Sequence, residues 1–207
     1  DLAFADADGS YLMGVAAGLA SRTGVVGFVG GCQVPAVAAY AAGFRAGVLS
    51  ARPGAQVRTA WVVPDPADCG DGNASAELGQ SAAGQLYAAG ADVVYEVAGA
   101  SGVGVFIAAK QHDGYAIGYG IDDYDKIGPA LQGAVLTSML KRVDTAVAGF
   151  VTDAAAGRFT AGIHRAGLDN HGVGFADSGH LLTPYVGRLN GDKQKIIDGV
   201  IAVPNGV

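Results

Sequence analysis

The sequence predicts an α/β protein whose core is a mostly parallel sheet with helices on both faces. Three observations lead to this class. Between residues 25 and 122, apolar runs rich in β-branched residues alternate with helical patterns in the order βαβαβαβ, which implies parallel strands joined by right-handed crossovers. Half of the 207 residues are hydrophobic, which is ample for a core. Several of the predicted elements end at or beside Gly or Pro, the residues that most often interrupt helices and strands.

The predicted elements up to residue 122 follow one another along the chain. A first helix, which Asp8 or Ser10 can cap, ends at Gly24. Four predicted strands share β-branched or aromatic residues and span residues 25–31, 55–64, 93–97 and 115–122. Three helices between them carry small or apolar residues at helical spacing and span residues 35–49, 74–89 and 103–110.

Beyond residue 122 the pattern predicts three further elements. Residues 134–157 contain a long helix, because apolar residues recur there at helical spacing: Met139, Leu140, Val143, Val147 and Phe150. Short extended runs interrupted by Gly predict a small antiparallel piece after residue 157. A last amphipathic helix covers residues 181–199.

The charge balance disfavours several classes of partner. Only 15% of the residues are charged, and the net charge is −6 with a pI near 5.0. Nucleic acid or an anionic membrane surface would require clustered Lys and Arg. No apolar run reaches the ~18 residues of a membrane span. The chain starts at Asp1 without an initiator Met or a signal peptide, so we expect its N-terminus to have been removed.

The turn after the strand at 93–97 contains Gly99, Gly102 and Gly104 before a helix, whose N-terminus could hold an anion. Their spacing, G-x-x-G-x-G, is neither the dinucleotide fingerprint nor a P-loop, so a tight turn without a ligand is an equal alternative. The sequence has no nucleophile elbow, no H-E-x-x-H motif and no metal-ligand spacing among its His and Cys residues. We therefore expect no enzymatic activity, no cofactor and no metal.

Ligands of parallel α/β sheets bind beyond the carboxyl ends of the strands. Four loops qualify by their position after a predicted strand, and they cover residues 30–35, 63–72, 97–102 and 121–126. A ligand site is therefore expected where these loops meet.

Five stretches of the sequence, in order, resemble a single protein family. They are DGSYLMGVAAGLASRTGVVGFVGG, AAYAAGFRAGV, GADVVYEVAGASGVGV, AIGYGID and VLTSMLKRVDTAV. These stretches resemble the basic membrane protein family of solute-binding lipoproteins, whose best understood members are purine-nucleoside receptors of ABC transporters. The resemblance implies a type I periplasmic-binding-protein fold, in which two Rossmann-like lobes joined by three crossovers hold the solute between them.

The resemblance also implies a division of the chain. Residues 1–24 would be a crossover helix of the N-terminal lobe, and residues 25–125 a Rossmann-like ligand-binding lobe. Residues 126–207 would form the return crossover and C-terminal elements that pack on the N-terminal lobe. The family's Asp-x-Ser-Phe-Asn-type motif, which reads the purine base, is not found in residues 1–30. The chain therefore resembles the last two-thirds of a family member.

The resemblance assigns roles to residues around the turn. Tyr95 stands where the family usually has Phe, and we expect it to stack on a nucleobase; the alternative is a core aromatic whose hydroxyl reaches a partner. Gly99, Ser101 and Gly102 would let backbone groups approach a neutral sugar closely.

Further ligand-binding residues are expected along the same edge. Asp122 matches the family's Gly-Val-Asp and could accept hydrogen bonds from two ribose hydroxyls, with Asp123 or Asp125 as alternatives after a shift of the alignment. Lys141 matches a family lysine that reaches the ribose, although a helical Lys often extends to solvent. Trp61 ends the second strand and could line the cleft or belong to the core.

Cys32 and Cys69 follow the first and second strands of the predicted sheet. Consecutive parallel strands are usually neighbours ~4.8 Å apart, close to the Cα separation that a disulfide prefers. We expect a Cys32–Cys69 disulfide if the protein is exported; two free thiols are the alternative.

The resulting hypothesis is a non-enzymatic, extracytoplasmic receptor for a nucleoside-like small molecule, with purine nucleosides favoured, which delivers its ligand to an ABC permease. It would be a periplasmic or cell-surface lipoprotein, held at the cytoplasmic membrane only by a lipid anchor lost with the N-terminus. A Rossmann-type enzyme or cofactor-binding subunit, and the ligand-sensing domain of a transcription regulator, are the alternatives.

Overall fold

The computed structural model describes residues 1–65 and 68–205. Residues 66–67 and 206–207, which fall in the predicted loop 63–72 and at the end of the predicted range 126–207, lie outside the described residues. The strands are β1 Leu2–Phe4, β2 Val25–Cys32, β3 Gln56–Val63, β4 Val93–Val97, β5 Tyr115–Gly120, β6 Val135–Lys141, β7 His164–Ala166 and β8 Val173–Phe175.

Most of the helices connect one strand to the next along the chain. They are α1 Asp6–Ala20, α2 Pro35–Ala51, α3 Cys69–Gly72, α4 Ala76–Ala88, α5 Gly102–Gln111, α6 Pro129–Gln132, α7 Val143–Ala155 and α8 Val186–Ile197. Short 3-10 turns at Gly99–Ser101 and Thr183–Tyr185 lead into α5 and α8.

Within the described part of the chain, six strands form one sheet in the order β3-β2-β4-β5-β6-β8. All neighbours from β3 to β6 pair in parallel, and only β8 runs antiparallel to β6. The predicted α/β class with a parallel-rich sheet is therefore confirmed. A separate two-stranded sheet pairs β1 with β7 in parallel.

The two faces of the six-stranded sheet carry separate apolar cores. Alternate residues of a strand point to opposite faces. Phe28 and Tyr95 therefore pack beneath α1 and α2, whereas Val29 and Val94 pack against α4 and α5 on the other face. This layering leaves the carboxyl ends of the strands as the edge where loops from both faces meet.

The helix predicted over residues 134–157 is wrong in its first half. Residues up to Lys141 form β6, and the helix α7 begins only at Val143. The physical reason is burial on both faces: Val135, Leu136 and Met139 are almost fully buried. A strand buried on both faces shows no apolar–polar alternation, so periodicity does not distinguish it from a buried helix.

The predicted antiparallel piece after residue 157 is only partly found. β8 pairs antiparallel with β6, but β7 joins β1 in parallel, so the two short strands belong to different sheets. The amphipathic helix predicted over residues 181–199 corresponds to α8.

The packing of α1 differs from the predicted assignment of residues 1–24 to another lobe. Leu12 and Val15 of α1 are fully buried in the core that contains Val26 and Phe28 of β2. Leu189 of α8 is buried in the same core. The range 126–207 is divided too, because β6 and β8 extend the sheet. The assignment followed chain order in the resemblance, whereas packing follows which apolar side chains face one another.

The helix α7 stands apart from this core. None of its residues is buried, and Val143, Val147 and Val151 are each between 43% and 58% exposed. Ile163, after the helix, is 74% exposed. The described chain thus carries an uncovered apolar surface beside the two-stranded sheet.

Cys32 and Cys69 are joined by a disulfide that connects the end of β2 to the start of α3. We predict that unfolding in denaturant without a reductant exposes no reactive thiol, and that two appear per chain once a reductant is added. A count with a chromogenic thiol reagent measures this. Two reactive thiols before reduction would mean that the bond does not form.

Candidate ligand-binding site

The carboxyl ends of four parallel strands meet at one edge of the six-stranded sheet. The chain leaves β2 to form β3 on one side and returns across β2 to form β4 on the other. The strand order therefore changes direction between β2 and β4, and ligands of open α/β sheets bind at such a switch point. The candidate site lies at this edge, between the segments that follow β2, β4, β5 and β6.

The first group of polar side chains at this edge surrounds Lys141, the last residue of β6. Its Nζ lies 3.2 Å from each carboxylate oxygen of Asp6 and 3.3 Å from the hydroxyl of Tyr40. The same Nζ lies 4.8 Å from the centre of the Phe4 ring. The Tyr40 hydroxyl is 2.9 Å from that of Tyr119. We call Lys141, Asp6, Tyr40 and Tyr119 the Lys141 cluster; Lys141 does not extend into solvent, since its side chain is only 23% exposed.

The Lys141 cluster offers hydrogen-bond donors and acceptors without a net charge. Burial and the neighbouring Tyr119 hydroxyl raise the pKa of Tyr40 well above its ordinary value, so its phenol stays neutral. Asp6 Oδ1 lies near Lys141 Nζ but accepts no hydrogen bond from the described residues. Such a set of groups can bind the hydroxyls of a neutral ligand.

The second group of polar side chains is a pair of acids, Glu96 near the end of β4 and Asp123 in the loop after β5. Glu96 is 4% exposed, and its Oε2 accepts a hydrogen bond of 2.9 Å from the Ala98 N–H. Asp123 Oδ2 accepts a hydrogen bond from the Ser138 hydroxyl at 3.2 Å. Burial raises the pKa of Glu96 to about 8, with the nearby Asp123 charge contributing, and burial raises that of Asp123 to about 6. Both acids line a cavity of about 420 Å³ with Gly99.

The raised pKa of Glu96 makes stability depend on pH. The unfolded chain releases this proton near the ordinary value of 4.5, whereas the folded protein keeps it up to about pH 8. Raising the pH between these values therefore favours the unfolded state, by at most about 1.4 kcal/mol per pH unit. The stabilisation of the folded state by protonated Glu96 is complete below pH 4.5. It decreases as the pH rises above 4.5 and is lost once the pH has risen through 8.

We predict that Glu96→Gln raises the free energy of unfolding relative to the wild type, and that this gain grows between pH 5 and pH 8.5. Urea unfolding at several pH values measures it. The exposed Glu77 at the start of α4 provides the control, since Glu77→Gln should show no such trend. A gain for Glu96→Gln that is independent of pH would contradict the assignment.

The turn after β4 is held by packing on both sides. Gly99 has φ +57°, in the left-handed region, and a Cβ there would lie 3.1 Å from the Asn73 carbonyl oxygen. A Cβ on Gly102 would lie 2.5 Å from the Glu96 carboxylate. Ser101 is fully buried, and its Oγ accepts a hydrogen bond of 2.9 Å from the Ser75 N–H. Gly99 remains exposed, so the turn presents its backbone rather than the Ser101 side chain.

The stacking role predicted for Tyr95 does not fit this structure. The ring has no exposed surface and packs against Phe28 and Phe44 at centroid distances of 5.7 and 5.3 Å. Its hydroxyl lies 3.2 Å from Ser10 Oγ. The core-aromatic alternative describes it, because alternation along β4 directs Tyr95 beneath α1 and α2.

The remaining predicted residues lie at the margin of the site. Trp61 is partly buried on β3 and packs edge-on against Phe28 at 6.2 Å. Asp122 is half-buried and already accepts hydrogen bonds from the Ser178 hydroxyl and the Tyr124 N–H. Asp125 is exposed in the same loop. Of the three acids, Asp123 is the one that reaches the cavity with Gly99.

The sequence analysis missed four polar residues that the structure brings to this edge: Asp6, Tyr40, Tyr119 and Glu96. Glu96 carried a usable signal, because an acidic residue inside the apolar strand V-V-Y-E-V is rarely buried without partners. Asp6 and Tyr40 reach the site because the N-terminal ends of α1 and α2 lie at the carboxyl edge, with Asp6 in the first turn of α1 and Tyr40 in the second turn of α2. No local pattern in the sequence reports that arrangement.

Across residues 1–65 and 68–205, no group of three or more His, Cys, Asp or Glu side chains is arranged to hold a metal ion. None of the helices in this described part has both the length and the hydropathy needed to cross a membrane.

Sequence comparisons identify relatives along the whole chain. A family model described as ABC transporter substrate-binding protein, PnrA-like (Bmp), matches residues 1–206. A CD4+ T-cell-stimulating antigen of Listeria monocytogenes is 36% identical over 98% of the chain, which covers 58% of that protein. The ABC transporter nucleoside-binding protein BmpA of Lactococcus lactis is 32% identical over 98% of the chain, which covers 59% of it. The chain thus spans somewhat more than half the length of these curated relatives.

A solved structure shows the same fold. The solute-binding protein of an ABC transporter system from Conexibacter woesei superposes with a TM-score of 0.77 over 99% of this chain and 65% of its own, at 22% identity. The match includes the parallel sheet whose carboxyl edge carries the Lys141 cluster. By sequence and by fold, the chain belongs to the Bmp family of PnrA-like substrate-binding proteins of ABC transporters.

Proposed function

We propose that the protein is an extracytoplasmic receptor that captures a nucleoside and delivers it to an ABC permease. The observation that carries the proposal is the Lys141 cluster at the carboxyl edge of the sheet, where an ammonium, a carboxylate and two phenols converge. Membership of the family supports the role of a solute receptor. The name of the Lactococcus lactis relative supports a nucleoside as the solute. Membership of this family favours the receptor over a Rossmann-type enzyme or a transcription regulator.

The chemistry of the edge favours a neutral, hydroxyl-rich ligand over an anionic one. Lys141 and Asp6 offset each other's charge, and together they offer ammonium donors and carboxylate acceptors to a diol. Glu96 and Asp123 place two further acids beside the cavity. A phosphate would meet these two acids. Lys126 also lines the cavity but offsets only one of them, and Lys141 is already paired with Asp6. A nucleoside should therefore bind far more tightly than its monophosphate.

The other half of the site is proposed to come from a second lobe. A cleft between two lobes is what encloses a ligand and removes it from water, and the described chain presents only one wall of such a cleft. The exposed apolar face of α7, formed by Val143, Val147 and Val151, is proposed to pack against that lobe. We further propose that a lipid anchor holds the whole protein at the cytoplasmic membrane.

Calorimetric titration of the full-length protein with inosine, guanosine and adenosine tests the proposal. We expect saturable binding of at least one purine nucleoside, with far weaker binding of the matching monophosphate and no product after prolonged incubation. Absence of binding to every nucleoside would contradict the receptor hypothesis. Formation of a product would instead favour the enzyme alternative.

The isolated 207-residue chain provides a second test. Because it supplies one wall of the proposed cleft, its affinity for the same nucleoside should be at least about 100-fold lower than that of the full-length protein, a loss of about 3 kcal/mol. Equal affinities in the two titrations would mean that the second lobe does not take part in binding.

A further inference from the structure

One segment connects the disulfide to the turn at Gly99–Ser101. We call residues 69–75 the bridging segment; it contains α3, and it ends at Ser75, which caps α4. The segment passes over the carboxyl ends of β2 and β4, the two strands between which the strand order reverses.

At its first end the bridging segment is fixed to β2. The disulfide joins Cys69 to Cys32, the last residue of β2. A Cβ on Gly72 would lie 2.2 Å from the Gly31 carbonyl oxygen, and a Cβ on Gly31 would lie 2.2 Å from Asn73 Oδ1. The segment therefore lies in direct contact with the end of β2.

At its other end the bridging segment holds the turn after β4. The Ala100 N–H donates a hydrogen bond of 3.0 Å to the Asn73 carbonyl oxygen. The Ser75 N–H donates one of 2.9 Å to the buried Ser101 Oγ. These two bonds tie both residues that follow Gly99 to the segment.

Asn73 contacts both the disulfide end and the turn end of the bridging segment. Its Nδ2 donates a hydrogen bond of 2.8 Å to the Cys69 carbonyl oxygen, and its own N–H donates to the same oxygen at 3.2 Å. The position of Asn73 is therefore set relative to the disulfide. α3 has only four residues, and isolated helices that short are not stable in water. The segment therefore depends on its contacts with the rest of the protein, and the disulfide is the one covalent contact among them.

We propose that the Cys32–Cys69 disulfide and Asn73 act as positioning groups for the ligand, by fixing the exposed turn at Gly99–Ser101 in its binding geometry. The inference rests on the proposed function, because it assumes that the turn contacts the solute. Without the bond, the glycine-containing segment gains conformational freedom, and the turn loses its two anchoring hydrogen bonds part of the time.

The test uses the full-length protein with Cys32→Ser/Cys69→Ser, and separately with Asn73→Ala. Two quantities are measured: amide hydrogen exchange at Ala100 and Ser75 by NMR, and the Kd for inosine by calorimetry. We expect exchange at these two amides to accelerate and the Kd to rise by about tenfold or more in the double variant. Asn73→Ala should change both quantities in the same direction. The amide of Ile117 in β5 should keep its protection.

A destabilised control separates positioning from general loss of stability. Leu189→Ala empties a buried site in α8, remote from the turn, and should lower the melting temperature while leaving the Kd and the Ala100 exchange rate unchanged. Unchanged exchange at Ala100 in the double variant would overturn the proposal. Faster exchange with an unchanged Kd would overturn it as well, because the turn would then not contact the ligand. A wild type that binds no nucleoside would instead contradict the proposed function.

Discussion

Replacing Lys141 with Met should weaken nucleoside binding by the full-length protein by about 2–4 kcal/mol, or roughly 30- to 1000-fold in Kd. Lys141 is the only cation of the Lys141 cluster, and its ammonium lies 3.2 Å from the Asp6 carboxylate. Its removal would take away the proposed charge-assisted hydrogen bonds to the ligand, and it would leave a partly buried carboxylate without its partner. The first effect weakens binding, and the second lowers the stability of the protein.

Matched variants make this result specific. Lys110 lies in the last turn of α5, at the opposite edge of the sheet, so Lys110→Met removes a charge and should leave the Kd unchanged. The double variant Lys141→Met/Asp6→Asn removes the unpaired charge and should recover stability without recovering affinity. Calorimetry and thermal unfolding measure the two quantities. An unchanged Kd for Lys141→Met would exclude the Lys141 cluster as the ligand site.

Replacing Gly47 with Ala should destabilise the protein by about 2–4 kcal/mol. A Cβ at this position in α2 would lie 2.0 Å from the Tyr11 carbonyl oxygen of α1, and backbone atoms cannot move aside as a flexible side chain can. The facing Gly14 is equally close to the Phe44 carbonyl oxygen. The two helices would have to separate. That movement would also separate Asp6, at the start of α1, from Tyr40, in the second turn of α2.

A second glycine in a helix provides the control for this substitution. Gly84 lies in α4, and apart from its chain neighbours and the backbone of its own helix no atom lies within 4 Å of its Cβ position. Gly84→Ala should therefore leave stability unchanged or increase it by about 0.5–1 kcal/mol, since Ala favours a helix over Gly. Urea unfolding of the two variants measures the contrast. Equal effects of Gly47→Ala and Gly84→Ala would mean that α1 and α2 are not in close contact.

The parallel sheet could be predicted from the sequence because residues that interrupt strands mark the ends of each strand. Each strand from β2 to β5 is bounded by Gly, Pro or a polar loop, so its length and type could be inferred locally. β6 was misassigned because the residues from Val135 to Met139 are buried without an alternating apolar pattern, and only pairing with β5 and β8 decides that they form a strand. That pairing involves residues far apart in the chain.

The candidate site was predicted in part for a similar reason. Position after a predicted strand indicated Gly99 and the acids after β5, because the ends of these strands share an edge. Lys141 was indicated only by the resemblance to the family, since the sequence pattern placed it in a helix. The burial of Tyr95 could not be inferred, since it depends on which face of β4 the helices α1 and α2 cover. The partnership of Lys141 with Asp6 joins residues 135 positions apart and arises only from packing.

A crystal structure of the full-length protein with a bound purine nucleoside tests the central claim most directly. We expect the ribose hydroxyls within about 3.2 Å of the Asp6 carboxylate and the Lys141 ammonium, with the backbone of the Gly99 turn also in contact with the ligand. A nucleoside bound elsewhere, with the Lys141–Asp6 ion pair untouched, would contradict the account.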